Sequence, residues 1–229
     1  MTESLQTGQR QSERNRDGEE EDFFAALYSD QARLKVFLGA MTALSGQTNR
    51  IMAEKLPWSD YQSFVDVGAA EGGLVVEIAR RHSHLSGIGF DLPPVRLAFE
   101  DYVERNLPDG KIRFFGGDFF KQPLPKVDVV LMGHVLHDWD LEQKRYLLRS
   151  AYDAIPQGGM VVVYETLIDD ARSQNAFGLL MSLNMLLETS GGFDYTGADC
   201  RAWMEEAGFG DIRQEHLAGP DSMMIGFKE

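Results

Sequence analysis

A doubly wound α/β fold, with a mostly parallel sheet, is predicted by three features of this 229-residue sequence. Short apolar runs alternate with helix-compatible segments, the pattern of a parallel sheet covered on both faces. Several runs end in an acid or a glycine directly before the next helix. The last two apolar runs lie close enough together to pair as a hairpin. The expected architecture is Rossmann-like: seven strands, mostly parallel, closed by an antiparallel C-terminal hairpin and preceded by N-terminal helices.

Residues 1–21 are almost entirely polar and charged and cannot bury enough apolar surface to order themselves, so a disordered acidic tail is expected. From Asp22 the pattern changes. Phe23, Phe24, Leu27, Leu34, Phe37, Leu38, Met41 and Leu44 recur at helical spacing, which predicts one or two helices over 22–57, ended by Pro57. The main domain, 58–229, then opens with the strand SFVDVG and the helix LVVEIARRH. LSGIGFDLP and VRLAFEDYVERN repeat the theme, KIRFFGGDFF supplies a third strand, and VDVVLMGHVL a fourth. The helix LEQKRYLLRSAYDAI and the strand GGMVVVYETLI follow. Beyond residue 172 come a Leu/Met-rich helix, a helix around 197–207, and the closing strands DIRQEHL and SMMIGFK.

Composition narrows the function. A net charge of -14 argues against nucleic acid, which calls for a basic face. The single cysteine, Cys200, excludes an internal disulfide framework and fits a reducing compartment. No stretch reaches the length of an apolar membrane span, and the polar N-terminus has no signal-peptide core, so a cytoplasmic protein is expected.

In such sheets the ligand crevice lies at the carboxyl ends of the strands. VDVGAAEGG places Gly68, Gly72 and Gly73 between a strand and a helix, where a backbone can approach a ligand closely. Alone, this loop reads equally well as a plain tight turn. Asp91 ends the next strand, about twenty residues on, where a carboxylate accepts both hydroxyls of a ribose; capping the helix near Pro93 is its bland alternative. Asp118 and Phe119, in GGDFF, offer an acid for an exocyclic amine beside an aromatic face. In this order the three sites outline an adenosine pocket.

His137 follows the fourth strand and therefore faces the same crevice, as an imidazole able to take a proton near physiological pH. Glu165 ends the fifth strand and can orient that imidazole. Asp194, in GGFDYT, comes from a Gly-rich loop that can fold over the same end. Asp138 and Asp140 read as helix-entry acids and His134 as a packed strand residue. His82, His84 and His216 read as surface residues. No Cys/His/Asp cluster has metal-ligand spacing, so no metal is expected.

The motifs VDVGAAEG, GFDLPPV, GDFFKQPLP, VLHDWDLEQ, GGMVVVYE and GGFDYTGADCRAWMEEAGF together resemble the S-adenosylmethionine-dependent O-methyltransferases of the plant caffeate and bacterial secondary-metabolite type. The resemblance runs from about Phe23 to the C-terminus. It implies S-adenosyl-L-methionine as cofactor, bound by Asp66, Gly68, Gly72, Asp91, Leu92, Asp118, Phe119 and Trp139. It implies His137 as general base, positioned by Glu165 and Asp194, and Met185 as a contact to a small aromatic acceptor.

Three departures stand out. The family's Gly-Gly-Gly loop reads Gly68-Ala69-Ala70, a less open backbone. A basic residue that plant members carry four before the catalytic histidine is Gly133 here. The helical dimerisation domain that usually precedes the family's catalytic domain is represented by a charged tail and a helix or two. That leaves an acceptor side that is open, or completed in a homodimer or by a partner chain. Two rival readings stay open: a nicotinamide-dependent dehydrogenase, which does not explain GDFF or LHDW, and a cofactor-binding relative with lost or altered chemistry.

Overall fold

A computed structural model describes residues 2 and 6 and then 27–229 continuously. The expected tail (1–21) and the start of the expected helical segment, with Phe23 and Phe24, therefore fall almost wholly outside the described residues.

Residues 27–29 are helical, and Asp30 then caps a long helix, α1 (Gln31–Lys55), its Oδ1 accepting from the N–H groups of Ala32 and Arg33. The chain continues β1 (Ser63–Val67), α2 (Gly73–Arg81), β2 (Ser86–Asp91), α3 (Arg96–Asn106), β3 (Ile112–Gly116) and β4 (Val129–Gly133). Then follow α4 (Leu141–Ala154), β5 (Met160–Glu165), α5 (Ala176–Glu188), α6 (Gly197–Ala207), β6 (Gly210–Ala218) and β7 (Asp221–Phe227). The seven strands form one sheet in the order β3-β2-β1-β4-β5-β7-β6. The first five are parallel, and β7 runs antiparallel to both β5 and β6. The expected fold is the observed one.

Alternation along the strands splits the core in two. Val65, Val67, Val130 and Met132 pack with Leu147, Leu148, Ala151, Trp203 and Met204 of α4 and α6. Phe64, Val129 and Leu131 pack on the opposite face with Leu34, Leu38, Met52, Leu74, Ile78 and Phe99 of α1, α2 and α3. This is the period-2 rule applied to strands buried on both faces. Leu44, grouped with the buried face of α1 by spacing alone, is instead 76 % exposed, because the buried stripe runs through Leu34, Leu38, Thr48 and Met52 and Leu44 lies off it.

β1 lies between β2 and β4, so the order reverses there and opens a crevice at the strands' carboxyl ends. Because β7 runs antiparallel, its first residue, Asp221, arrives at the end where β5 finishes in Glu165. Among the described residues no helix is long and apolar enough to cross a membrane.

Candidate active site

The loop after β1 turns through left-handed conformations at Gly68 (φ +74°), Ala70 (φ +51°) and Gly72 (φ +90°). Ala70, the departure from an all-glycine loop, thus holds a backbone conformation that glycine adopts freely and alanine resists. The turn aims the Ala70 N–H at Asp91. Its Oδ2 accepts from Ala70 N at 2.9 Å, and its Oδ1 from Leu92 N at 2.7 Å and Tyr28 Oη at 3.4 Å. Burial pushes the Asp91 carboxyl up to about 6, against the pull of those three donors. Asp66, buried in β1 under the same loop, is pushed up to about 8 by burial and then by the charge of Asp91.

β3 stops at Gly116, so Asp118 and Phe119 lie in the turn beyond it and not within the strand. Asp118 accepts from Phe120 N at 2.9 Å and pairs with Lys121 Nζ at 2.8 Å. Partial burial raises this carboxyl, but the lysine and the amide outweigh it and hold it below its ordinary value. Beside it the rings of Phe90 and Phe119 stack at 6.4 Å, and Trp139 meets Phe119 edge-on at 5.7 Å and Phe120 at 4.7 Å. The expected adenosine-side residues converge on one stretch of the sheet's edge.

The quoted fourth strand is shorter than the apolar run suggests. β4 ends at Gly133, where a Cβ would meet the Tyr164 ring at 1.8 Å, so the missing basic side chain of the plant pattern has no room here. His134 then takes a left-handed turn (φ +51°), and Leu136–Asp138 forms a single 3₁₀ turn. His134 is therefore not a strand residue. The turn breaks the strand and carries His137 back over the end of β5.

His137 is buried at 7 % exposure. Its Nδ1 lies 3.2 Å from Asp194 Oδ1 and 3.7 Å from Glu165 Oε2, and its Nε2 3.6 Å from Asp138 Oδ1. Its backbone N–H donates to Glu165 Oε1, which also accepts from Tyr195 Oη. The structure thus brings His137, Glu165 and Asp194 together, with Asp194 the closer ring partner and Glu165 flanking both ring and backbone. Burial alone lowers an imidazole's affinity for protons; here Glu165, Asp194 and Asp138 outweigh it and hold His137 up at about 10.

Asp138 does not cap the next helix. Asp140 does, in a capping box with Gln143, while Asp138 turns inward toward His137 and is raised to about 7 by burial. The loop carrying Asp194 is pressed against the histidine turn: a Cβ on Gly192 would lie 2.5 Å from the His137 carbonyl oxygen. Lys144 of α4 pins this loop, its buried ammonium donating to Trp139 O and lying 3.6 Å from the Phe193 ring centre. Met185 is buried on α5, the helix that leads into the Gly-rich loop and packs against the histidine turn.

Several partners at this edge were not legible from spacing. Tyr28 reaches Asp91 across 63 residues, and Thr48 Oγ1 donates to Asp221 Oδ2 at 2.9 Å across 173. His134 faces Glu165 (3.6 Å) and Asp221 (3.8 Å), so it belongs to the cluster rather than to the packing. His82 and His84, expected at the surface without partners, contact the carbonyl oxygens of Ala53 and Trp58 at 2.8 and 3.1 Å, because α1 folds back over them.

Comparison with known proteins agrees with this geometry. A family model described as an O-methyltransferase domain matches residues 4–210. The chain is 41 % identical over 228 residues to the tetracenomycin polyketide synthesis 8-O-methyl transferase TcmO of Streptomyces glaucescens, covering all of this chain and 66 % of that protein. It is 38 % identical over 210 residues to the N,N-dimethyltransferase OxyT of Streptomyces rimosus, covering 91 % of this chain and 60 % of that one. The human N-acetylserotonin methyltransferase, solved in complex with SAM, superposes with a TM-score of 0.88 at 26 % identity, over 99 % of this chain and 65 % of its own. The chain therefore spans 60 % and 66 % of the length of these two bacterial relatives. Fold, motif order and family match agree: this chain belongs to the O-methyltransferase domain family.

Proposed function

We propose that this domain transfers a methyl group from S-adenosylmethionine to a hydroxyl oxygen of a small aromatic acceptor, with His137 as the general base. The observation that carries this reading is the juxtaposition, at one sheet edge, of a hydrogen-bonded buried carboxylate beside aromatic rings and a buried imidazole held by carboxylates.

The residues present fit that cofactor. Asp91 is preset by two backbone donors and retains lone pairs for ribose hydroxyls. Phe119 and Trp139 offer ring faces and edges to a purine, with Asp118 as acceptor for its amine. Asn49 Oδ1 is buried without a hydrogen-bond donor, and its amide borders the N-terminus of α2, 3.4 Å from where a Gly73 Cβ would lie. An acceptor so placed suits the amino group of a bound methionine moiety. When bound, the cofactor supplies an electrophilic methyl group on a positively charged sulfur.

The chain's own residues then have two tasks: to align the acceptor oxygen and to remove its proton. Asp194 receives the Nδ1–H of His137, which leaves the Nε2 lone pair for the acceptor hydroxyl. Glu165 and Asp194 stabilise the imidazolium formed as the proton moves. They hold the proton so firmly that the free domain carries His137 charged at neutral pH. A neighbouring positive sulfur opposes that charge and favours the neutral base.

On the acceptor side, α5 is apolar along most of its length, with Met185 buried and Phe177 and Leu180 exposed. This face suits an aromatic acceptor enclosed by a further protein segment, in this chain or in a second copy. A second reading, methylation of an amine nitrogen, is favoured by the identity to the N,N-dimethyltransferase.

Transfer from labelled S-adenosylmethionine to matched panels of phenols and amines tests both readings. Phenol methylation that collapses in His137→Ala, with cofactor binding retained, is the expected result. Thermal stabilisation by NAD and not by S-adenosylmethionine would sink the proposal.

A further inference from the structure

The cluster at the end of β5 has a second chemistry. His134, His137 and Glu165 bring one nitrogen each and one carboxylate oxygen within 4.8 Å of one another. Glu165 Oε2 lies between the rings, 3.6 Å from His134 Nδ1 and 3.7 Å from His137 Nδ1. It is buried, yet accepts no hydrogen bond. A tetrahedral zinc ion with ligands at about 2.0–2.2 Å separates its donors by roughly 3.3–3.6 Å. The two imidazole–carboxylate separations are therefore close to what such an ion imposes.

The surroundings match as well. Histidines that ligate a metal usually turn their other ring nitrogen to a carboxylate. Here His134 Nε2 faces Asp221 at 3.8 Å, and Asp221 is itself held by Thr48. His137 Nε2 faces Asp138 at 3.6 Å. Asp194, with Oδ1 at 3.2 Å from His137 Nδ1 and Oδ2 without a donor, stands ready as a fourth ligand. His134 keeps 29 % of its side chain exposed, which supplies an entry path and freedom to close the remaining gap.

We propose that His134, His137 and Glu165 form a site for a borderline divalent transition ion such as Zn²⁺, and that filling it switches methyl transfer off. The inhibitory half rests on His137 acting as the base. Metal binding at His137 Nδ1 displaces to solvent the proton held against Asp194, and the imidazole that remains carries its one proton on Nε2. The nitrogen that must accept the acceptor's proton is then already protonated, and the relay to Asp194 is broken.

The test uses the whole chain and Co²⁺ as a spectroscopic probe. Wild-type protein is expected to bind one Co²⁺ per chain with the visible absorption of a nitrogen/oxygen site. His134→Asn, which keeps the left-handed backbone because Asn tolerates it, should weaken binding at least about tenfold, and Asp221→Asn should do so by about tenfold through its outer-shell contact. Circular dichroism confirms that each variant is folded. Zn²⁺ should abolish transfer by wild type, EDTA should restore it, and His134→Asn should transfer in the presence of Zn²⁺. Absence of a saturable Co²⁺ spectrum, or equal affinity in wild type and both variants, overturns the site. Wild-type protein that binds Co²⁺ or Zn²⁺ saturably yet transfers methyl at the same rate with and without the ion would leave the site standing and overturn the switch.

Discussion

Asp91 on the adenosine side and Glu165 on the catalytic side are both buried carboxylates ending parallel strands, at 7 % and 1 % exposure. Asp91 accepts from two backbone N–H groups and a tyrosine. Glu165 keeps one oxygen without a donor, as does its neighbour Asp194, and both lie against an imidazole. The first arrangement is a satisfied hydrogen-bond network that fixes a shape. The second is an under-satisfied cluster in which a proton or cation is strongly held, because a low-dielectric interior magnifies each missing donor. The contrast fits the proposed division of labour, with Asp91 preorganised to bind the cofactor and the His137 cluster polarised to move charge.

The largest expected effect breaks the catalytic half. His137→Ala should lower kcat by roughly 10²–10⁴-fold, the usual value of a positioned base, while the dissociation constant for S-adenosylmethionine changes little. Single-turnover kinetics and calorimetry check the two halves separately. Asp91→Ala should do the reverse. Loss of hydrogen bonds to a charged group is worth about 1.5–3 kcal/mol, so cofactor affinity should fall about 10–100-fold, with kcat at saturation nearly unchanged. An equal loss of kcat in both variants would erase the proposed division.

Titration sharpens the contrast because the two halves respond at opposite ends of the pH scale. Asp91, raised to about 6, loses its charge as pH falls through that value, so cofactor affinity should decline below pH 6. His137, held up at about 10, must lose a proton to act, so the rate should climb about tenfold per pH unit on its acid limb. Stability moves the other way. The folded value for His137 lies above its ordinary 6.5, so the ion pairing stabilises fully below pH 6.5 and fades as pH rises toward 10. Thermal melts of the cofactor-free chain should show a falling Tm over that window, and Glu165→Gln should flatten the slope.

The smallest effect separates architecture from chemistry. Asp140→Ala removes the cap of α4 and should cost about 1 kcal/mol, or about 2–4 °C in Tm. Because the Asp140 carboxylate is engaged by the Gln143 N–H of α4, kcat and cofactor affinity should hold within about twofold. A tenfold loss of kcat would place Asp140, and not only Asp138, in the charged cluster.

Most of the fold was readable because its signals are local. Short apolar runs such as SFVDV and VVVY, a Gly loop before α2 and the acids that end β2 and β5 are written in neighbouring residues. The parallel order then carries Asp91, His137 and Glu165 to one edge by topology alone. Local reading failed where the backbone left its regular path. The apolar run through Leu136 suggested a strand past His134, whereas the crowded Tyr164 ring and the left-handed His134 end it at Gly133. Asp138 and Asp140, two residues apart and chemically identical, were not separable as histidine partner and helix cap.

The sequence by itself determined the Rossmann-like sheet, the hairpin that closes it, and the identity of the histidine and acids gathered at its edge. Periodicity, turn residues and motif order depend only on near neighbours along the chain. Tertiary structure alone decided which carboxylate touches which ring nitrogen, that Thr48 and Asp221 stand behind His134, and that Tyr28 completes Asp91. These contacts join residues up to 173 positions apart, and their charges are set by burial that no local window contains.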